Sequence, residues 1–259
     1  MPERIEIQIM VETLNKKYKN KELRTISICS GRYTKHGSPK DFNKFIKLLP
    51  LKIKKFNVKG KFIWLTFHNS NWIIYFTLGL TGHFKYDEDG KYCRYQFILD
   101  DGKFCMDDMR NFGTLSFTND ETFLLNKLNK LGIDVFSKDF TYKNFKKIIS
   151  GIKEDKLIGM ILLEQKYISG IGNYLRADML YTAKISPFRT IRSLQIKDIK
   201  VLFGSIKKVI NESYKQQKKY GLHGYDFLVY KMKKTKQNEE VSHELIGKRH
   251  IYWVKSVQK

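Results

Sequence analysis

At 259 residues the chain is long enough for one large domain or two modest ones, each with its own apolar core. Lys and Arg number 49 against 26 acidic residues, a net charge of +23, yet 14% of the residues are aromatic; this excludes a disordered basic tail and implies a polyanionic partner met by a folded surface. Three cysteines, Cys29, Cys93 and Cys105, form no CxxC pair, and neither a signal peptide nor a membrane-length apolar run is visible, so we expect an intracellular protein in a reducing compartment, with no disulfide framework and no membrane partner.

Taken in order, Pro2 stands where a helix accepts proline, and Ile7, Val11, Leu14 and Tyr18 recur on one face, which predicts an N-terminal helix. Short β-rich runs follow at 25–29, 51–58, 62–67, 72–78, 92–99, 104–107 and 114–117, separated by Gly, Asn and Asp turns. Several are apolar on both faces, as in Phe62-Ile63-Trp64-Leu65, which is expected where two sheets pack. The first part of the chain, about 120 residues, therefore reads as a β-sandwich or flattened barrel carrying one helix.

After Asn119 the pattern turns helical, with runs at 121–131, 140–150 and 155–167. The stretch LIGMILLEQKYISGIGNYLR, residues 157–176, organises this half: an apolar helical run, a break at Ser169-Gly170-Ile171-Gly172, and a second run from Asn173 to Leu180. Its glycines let the backbone approach a partner and leave the first amides of the next helix pointing outward, which suits a phosphate. An ordinary αα-corner filling a core is the alternative reading of this stretch alone. A long helix is expected from an N-cap at Ser193 to Gly221, with Ile199, Leu202, Phe203, Ile206, Ile210 and Tyr214 at helical spacing. The tail reads as a terminal β-hairpin, and 214–259 holds 11 basic residues against 4 acidic ones. The fold class is α+β, with an N-terminal β-sandwich domain at 1–130, a connector at 131–137, a helical domain at 138–222 and a hairpin at 223–259.

The opening MPE-xx-E, the strand KGKFIWL, the LGLTG turn, the DMRNFG segment, the LGIDV connector, LLEQKYIS and GIGNYLRADMLY occur in the order found in one family. No single one is specific, but the ordered set resembles the Fpg/Nei DNA glycosylases over nearly the whole chain, on the Nei side. The resemblance implies a helix–two-turn–helix and a monomer acting on damaged DNA, duplex or single-stranded, with no organic cofactor. It also implies base-excision repair: a glycosylase that removes oxidised bases, mainly pyrimidines and also ring-opened purines, and an AP lyase that cleaves the strand by β,δ-elimination.

Residue roles follow from the same resemblance. With Met1 removed, Pro2 offers a secondary amine; a terminal amine titrates near ~7.7–8.0, so part of it is neutral and nucleophilic at physiological pH. Glu3 matches the family's acid–base residue, and Glu6 supports that site. Lys61 matches a lysine gripping the phosphate beside the lesion; Asn173, in the turn of Gly170 and Gly172, binds the same phosphate region, and Arg249 stands at the hairpin tip. Leu80, Arg110 and Phe112 match the side chains that fill the hole left by a flipped base. Bland readings stand beside these: Pro2 as a plain helix-start proline, Lys61 as solvated surface, Leu80 and Phe112 as core beside Gly79 and Gly113.

Departures from the family pattern are Ile5 for a second proline, Asp178 for a glutamate, and a tail without metal ligands. In Tyr252-Trp253-Val254-Lys255-Ser256-Val257-Gln258, Val254 and Val257 replace two cysteines, and His243 with His250 cannot rebuild a four-ligand site, so a zincless finger without metal is expected. A non-catalytic nucleic-acid-binding protein on the same scaffold is the alternative function. A structural chromatin-type basic protein fits poorly with so large an aromatic core.

Overall fold

The computed structural model of the protein describes residues 2–259. Its contacts gather into two compact units, Pro2 with Ile7–Asn129, and Glu3–Glu6 with Lys130–Lys259. The split falls inside the first turn of the first helix, α1 (Arg4–Tyr18), whose buried Ile7, Met10, Val11, Leu14 and Tyr18 belong to the first unit. Among the described residues no helix is long and apolar enough to cross a membrane.

After α1 the first unit runs β1 (Glu22–Ile28), α2 (Arg32–Lys35), α3 (Phe42–Ile46), β2 (Leu51–Lys59), β3 (Phe62–Phe67), β4 (Ser70–Thr77), β5 (His83–Tyr86), β6 (Cys93–Leu99), β7 (Lys103–Asp107), β8 (Thr114–Thr118) and α4 (Glu121–Asn129). The eight strands form one antiparallel sheet in the order β5-β7-β6-β1-β2-β3-β4-β8. Its two four-stranded halves are joined where Glu22 and Leu23 pair with Lys52 and Leu51. They pack on each other through phenylalanines: Phe76 of β4 lies 5.6 Å from Phe84 of β5 and 5.6 Å from Phe97 of β6, and Phe56 of β2 lies 5.7 Å from Phe104 of β7. The expected sandwich is present, and edge-to-face rings fill its middle. Strand β5 was not among the expected runs, because HFKY offers only one buried residue, Phe84, to mark it.

The second unit runs β9 (Ile133–Asp134), α5 (Tyr142–Ser150), α6 (Ile158–Ile161), β10 (Ile168–Ser169), α7 (Asn173–Ala183), α8 (Ile196–Tyr220), β11 (Ser242–Ile246) and β12 (Arg249–Trp253). The helix expected over 155–167 is a single turn, α6. Beyond it the Gln165 side chain donates to the carbonyls of Leu163 and Ile171 and accepts from the Gly170 amide, which folds the chain back on itself. The long helix α8 starts later than expected: Ser193 ends a 3₁₀ turn, and Gln195 caps α8 in a reciprocal capping box with Asp198. The hairpin β11–β12 turns at Gly247, φ 62°, with Ile246 paired to Arg249.

Helix α7 is buried nearly all round, with Tyr174, Leu175, Ala177, Met179, Leu180 and Ala183 in the core. Two charged side chains, Arg176 and Asp178, are buried with them. A buried charge requires partners, and those partners define the site.

Candidate active site

Glu3 is 4% exposed, and its carboxylate occupies the start of α7. Oε2 accepts from the amides of Gly172 at 2.7 Å and Leu175 at 3.4 Å, and Oε1 accepts from Tyr174 at 3.0 Å. These are amides that an α-helix leaves without an internal partner, and the helix dipole favours an anion there. The expectation that they face outward towards a phosphate is therefore corrected: the chain's own glutamate takes them. The two glycines of the turn serve that approach. A Cβ at Gly172 would lie 2.1 Å from the Glu3 carboxyl carbon, and one at Gly170, φ 108°, would lie 2.7 Å from the Arg4 Cβ.

The rest of the first turn of α1 is held as firmly. Glu6 accepts the Glu3 amide at 2.8 Å, the Tyr174 hydroxyl at 2.8 Å and the Gln217 side-chain amide of α8 at 2.6 Å. Burial pushes the Tyr174 phenol well above its ordinary value, with Glu6 and Glu3 adding to it, so this hydroxyl is a hydrogen-bond donor. Arg4 donates from its amide to the Gly170 carbonyl at 3.1 Å and from Nε to Asp134 at 2.8 Å. Ile5, in place of a proline, is fully buried.

Arg176, fully buried, links the other expected residues of this unit. It donates from Nη1 to the Gly159 carbonyl at 2.8 Å, and from Nη2 to Asn173 Oδ1 at 2.5 Å and the His250 carbonyl at 2.9 Å. Desolvation lowers its pKa to about 10, which leaves it charged at neutral pH. One guanidinium thus orients Asn173 and fixes the strand beside Arg249, which is exposed at the start of β12. The sequence reading missed Arg176; the available signal was a lone cation in the apolar run of α7.

Asp178, uninterpreted from sequence, has a clear structural job. Its two oxygens accept from the amides of Leu228 at 3.0 Å, Val229 at 3.0 Å and Tyr230 at 3.4 Å. It anchors the aromatic turn in which Phe227 lies 5.2 Å from Tyr174. In the tail, Val254 is fully buried and Gln258 bridges the Val254 amide to the Ile185 carbonyl. The His243 and His250 ring centroids lie 4.4 Å apart with the rings tilted by 32°, and among the described residues no group of three or more His, Cys, Asp and Glu is arranged for a metal.

In the first unit, the Leu80 turn and the Arg110–Phe112 loop come together. A Cβ at Gly79 would lie 2.7 Å from the Phe112 Cβ, and the Arg110 guanidinium sits over the Phe112 ring at 5.0 Å. Asp108 props the loop by accepting from the Gly113 amide at 2.7 Å and from the Thr81 hydroxyl, whose oxygen in turn accepts the Arg110 amide at 3.1 Å. Phe112 is 49% exposed, so it is not a core residue; Leu80 is half-buried. Lys61 is half-buried in the turn between β2 and β3. Pro2 is buried. Met1, whose removal would free the Pro2 amine, lies outside the described residues.

Known proteins match this arrangement. The pattern of the formamidopyrimidine-DNA glycosylase N-terminal domain fits residues 1–115, and that of the formamidopyrimidine-DNA glycosylase H2TH domain fits residues 131–222. A formamidopyrimidine-DNA glycosylase of Prochlorococcus marinus is 30% identical over 236 residues, covering 82% of this chain and 80% of the relative. The Ureaplasma parvum protein of that name is 28% identical over 238 residues, covering 88% and 83%. Among solved structures, Lactococcus lactis Fpg in complex with DNA containing an abasic site superposes with a TM-score of 0.83 over 99% of each chain, at 22% identity, a likeness of fold. Two domain patterns in order and a 30% identical relative covered over most of its length place this chain in the Fpg/Nei family of DNA glycosylases.

Proposed function

We propose that the protein is a bifunctional DNA glycosylase and AP lyase of base-excision repair. The observation that carries this reading is the buried Glu3 carboxylate, fixed on three amides and following a proline at position 2 in the sequence. A protein that only binds nucleic acid has no need of a carboxylate buried beside a terminal secondary amine. With Met1 removed, the Pro2 nitrogen attacks C1′ of the damaged nucleoside, the base leaves, and the secondary amine becomes an iminium ion. That ion is an electron sink, so loss of a C2′ proton expels the 3′ phosphate, and a second elimination expels the 5′ phosphate. Glu3 supplies and removes protons as the sugar ring opens and the eliminations proceed, while Glu6, bonded to the Glu3 amide, supports that site.

Damaged DNA is the proposed partner, bound by Lys61, Asn173 and Arg249 on phosphates, with the turn of Gly170 and Gly172 serving to seat Glu3. Leu80, Arg110 and Phe112 fill the space of the extruded base, a role supported by their adjacency and the exposure of Phe112. We propose oxidised pyrimidines as the main substrates, with ring-opened purines second, because NYLRAD and the valine tail resemble the Nei branch, although the relatives matched above are formamidopyrimidine-DNA glycosylases. Lactococcus lactis Fpg itself has been crystallised with both Fapy-dG and oxidised-pyrimidine DNA. The test is borohydride trapping on duplex DNA with an abasic site or thymine glycol. A covalent adduct in the Met1-processed protein, lost when Met1 is retained, is expected. Tight binding with no adduct and no strand scission on any lesion would instead identify a non-catalytic binder.

A further inference from the structure

Cys105 lies on β7 and Cys93 on the neighbouring β6, and Cys29 directly follows β1, the next strand of the sheet. Cys105 stands opposite Gln96, and Gln96 opposite Ser27, so these share one face of the sheet; Cys29, two residues beyond Ser27, returns to it. In a regular strand Cys93, three residues from Gln96, would point to the other face. The bulge between Cys93 and Tyr95 places Cys93 opposite Asp107, two residues from Cys105, and so turns it to the face of the other two. The Cys93 thiol interacts with Cys105 and with Cys29; hydrogen bonding to Cys105 raises the Cys93 thiol and lowers that of Cys105. Exposure is graded along the row: Cys29 is exposed, Cys93 half-buried and Cys105 buried, all as free thiols.

We propose that this row is an oxidant-responsive modification site in which Cys29 and Cys93 join as a disulfide. Hydrogen peroxide oxidises the exposed Cys29 thiol to a sulfenic acid, releasing one water. The Cys93 sulfur then attacks the Cys29 sulfur; the sulfenic hydroxyl leaves with the Cys93 proton as a second water, and the disulfide remains. The position has a mechanical consequence. The Cys93 carbonyl accepts from Ser30 Oγ at 2.5 Å, and Arg94 donates to Ser30 Oγ at 2.9 Å, to the Asp108 carbonyl at 2.8 Å and to the Met109 carbonyl at 3.2 Å. Pulling Cys29 and Cys93 together acts on the side chains that hold the loop of Arg110 and Phe112. This inference does not depend on the catalytic reading.

The test treats the native full chain with hydrogen peroxide, alkylates the remaining thiols and maps peptides without reduction. Wild type should show one Cys29–Cys93 disulfide, reversed by dithiothreitol, with Cys105 still alkylated after unfolding. Cys93→Ser should instead accumulate a dimedone-reactive Cys29, and Cys29→Ser, a change at an exposed position, should form no disulfide. Three intact thiols in peroxide-treated wild type, or a Cys29 that is trapped by dimedone there as readily as in Cys93→Ser, would overturn the proposal. Oxidation should also change the rate of proteolytic cutting at Met109–Phe112 severalfold in wild type but not in Cys29→Ser; an unchanged rate in the disulfide form would overturn the link to the loop.

Discussion

A Cβ at Gly172 has nowhere to go except into the Glu3 carboxyl group, 2.1 Å away. Gly172→Ala should therefore expel Glu3 from the start of α7, cost about 1–3 kcal/mol of stability as an overpacked site, and abolish strand cleavage. Denaturation and a cleavage assay on one sample check both, and normal values in both would show the fit to be slack. Glu3→Gln keeps the size but turns an NH₂ donor towards at least one amide donor. Single-turnover cleavage at an abasic site should fall by on the order of 10²–10⁴-fold; full activity would remove Glu3 from the chemistry. Asp178 gives a pH prediction. Burial pushes its carboxyl from the ordinary 3.8 up to about 6, against the three amides that bond it. The folded state thus holds this proton more tightly than the unfolded chain. Its contribution is complete below the unfolded value and lost as pH rises through the folded one, a difference on the order of 3 kcal/mol. Urea unfolding between about pH 4 and 6 should show this loss in wild type and not in Asp178→Asn; equal slopes would refute it. At this scale the sequence named Glu3 and Glu6 but not their partners. The Gly172 amide lies 169 residues from Glu3, and the amides held by Asp178 lie 50 to 52 residues on, distances at which no local pattern signals a bond.

Among the elements, α7 and the β11–β12 hairpin share one fastening, Arg176. Arg176→Met should cost about 1.5–3 kcal/mol, because it strips a charged donor from two carbonyls and from Asn173. It should also weaken DNA binding, and a cycle with Asn173→Ala should be non-additive by about 0.5–3 kcal/mol. Additive losses would show that Arg176 supports the fold but does not orient Asn173. Incubation with a chelator should change neither stability nor binding, since Val254 packing and the Gln258 bridge hold the tail; a chelator-sensitive melting temperature would contradict this account. Strong periodicity made α8 and the β-runs legible in the sequence. Residues 155–167 read as one helix because Leu157, Met160, Ile161 and Leu163 form an apolar helical run, while beyond the single turn of α6 the Gln165 side chain bonds to backbone up to six residues away.

For the whole molecule, a net charge of +23 predicts DNA binding that weakens steeply with salt through counterion release. Lys61→Ala and Arg249→Ala should each lower the log–log salt slope by about 1, whereas Asn173→Ala should weaken binding with the slope unchanged. An unaltered slope in Lys61→Ala would return that lysine to ordinary surface. The grouping of Glu3–Glu6 with Lys130–Lys259 also bears on synthesis. Glu3 leaves the ribosome early, but the amide that seats it is 169 residues downstream. At 5–20 residues per second that separation is on the order of ten to thirty seconds of translation. A nascent or truncated chain that stops short of α7 leaves Glu3 without the amides that seat it, so under the proposed lyase reading such a chain should not cut DNA.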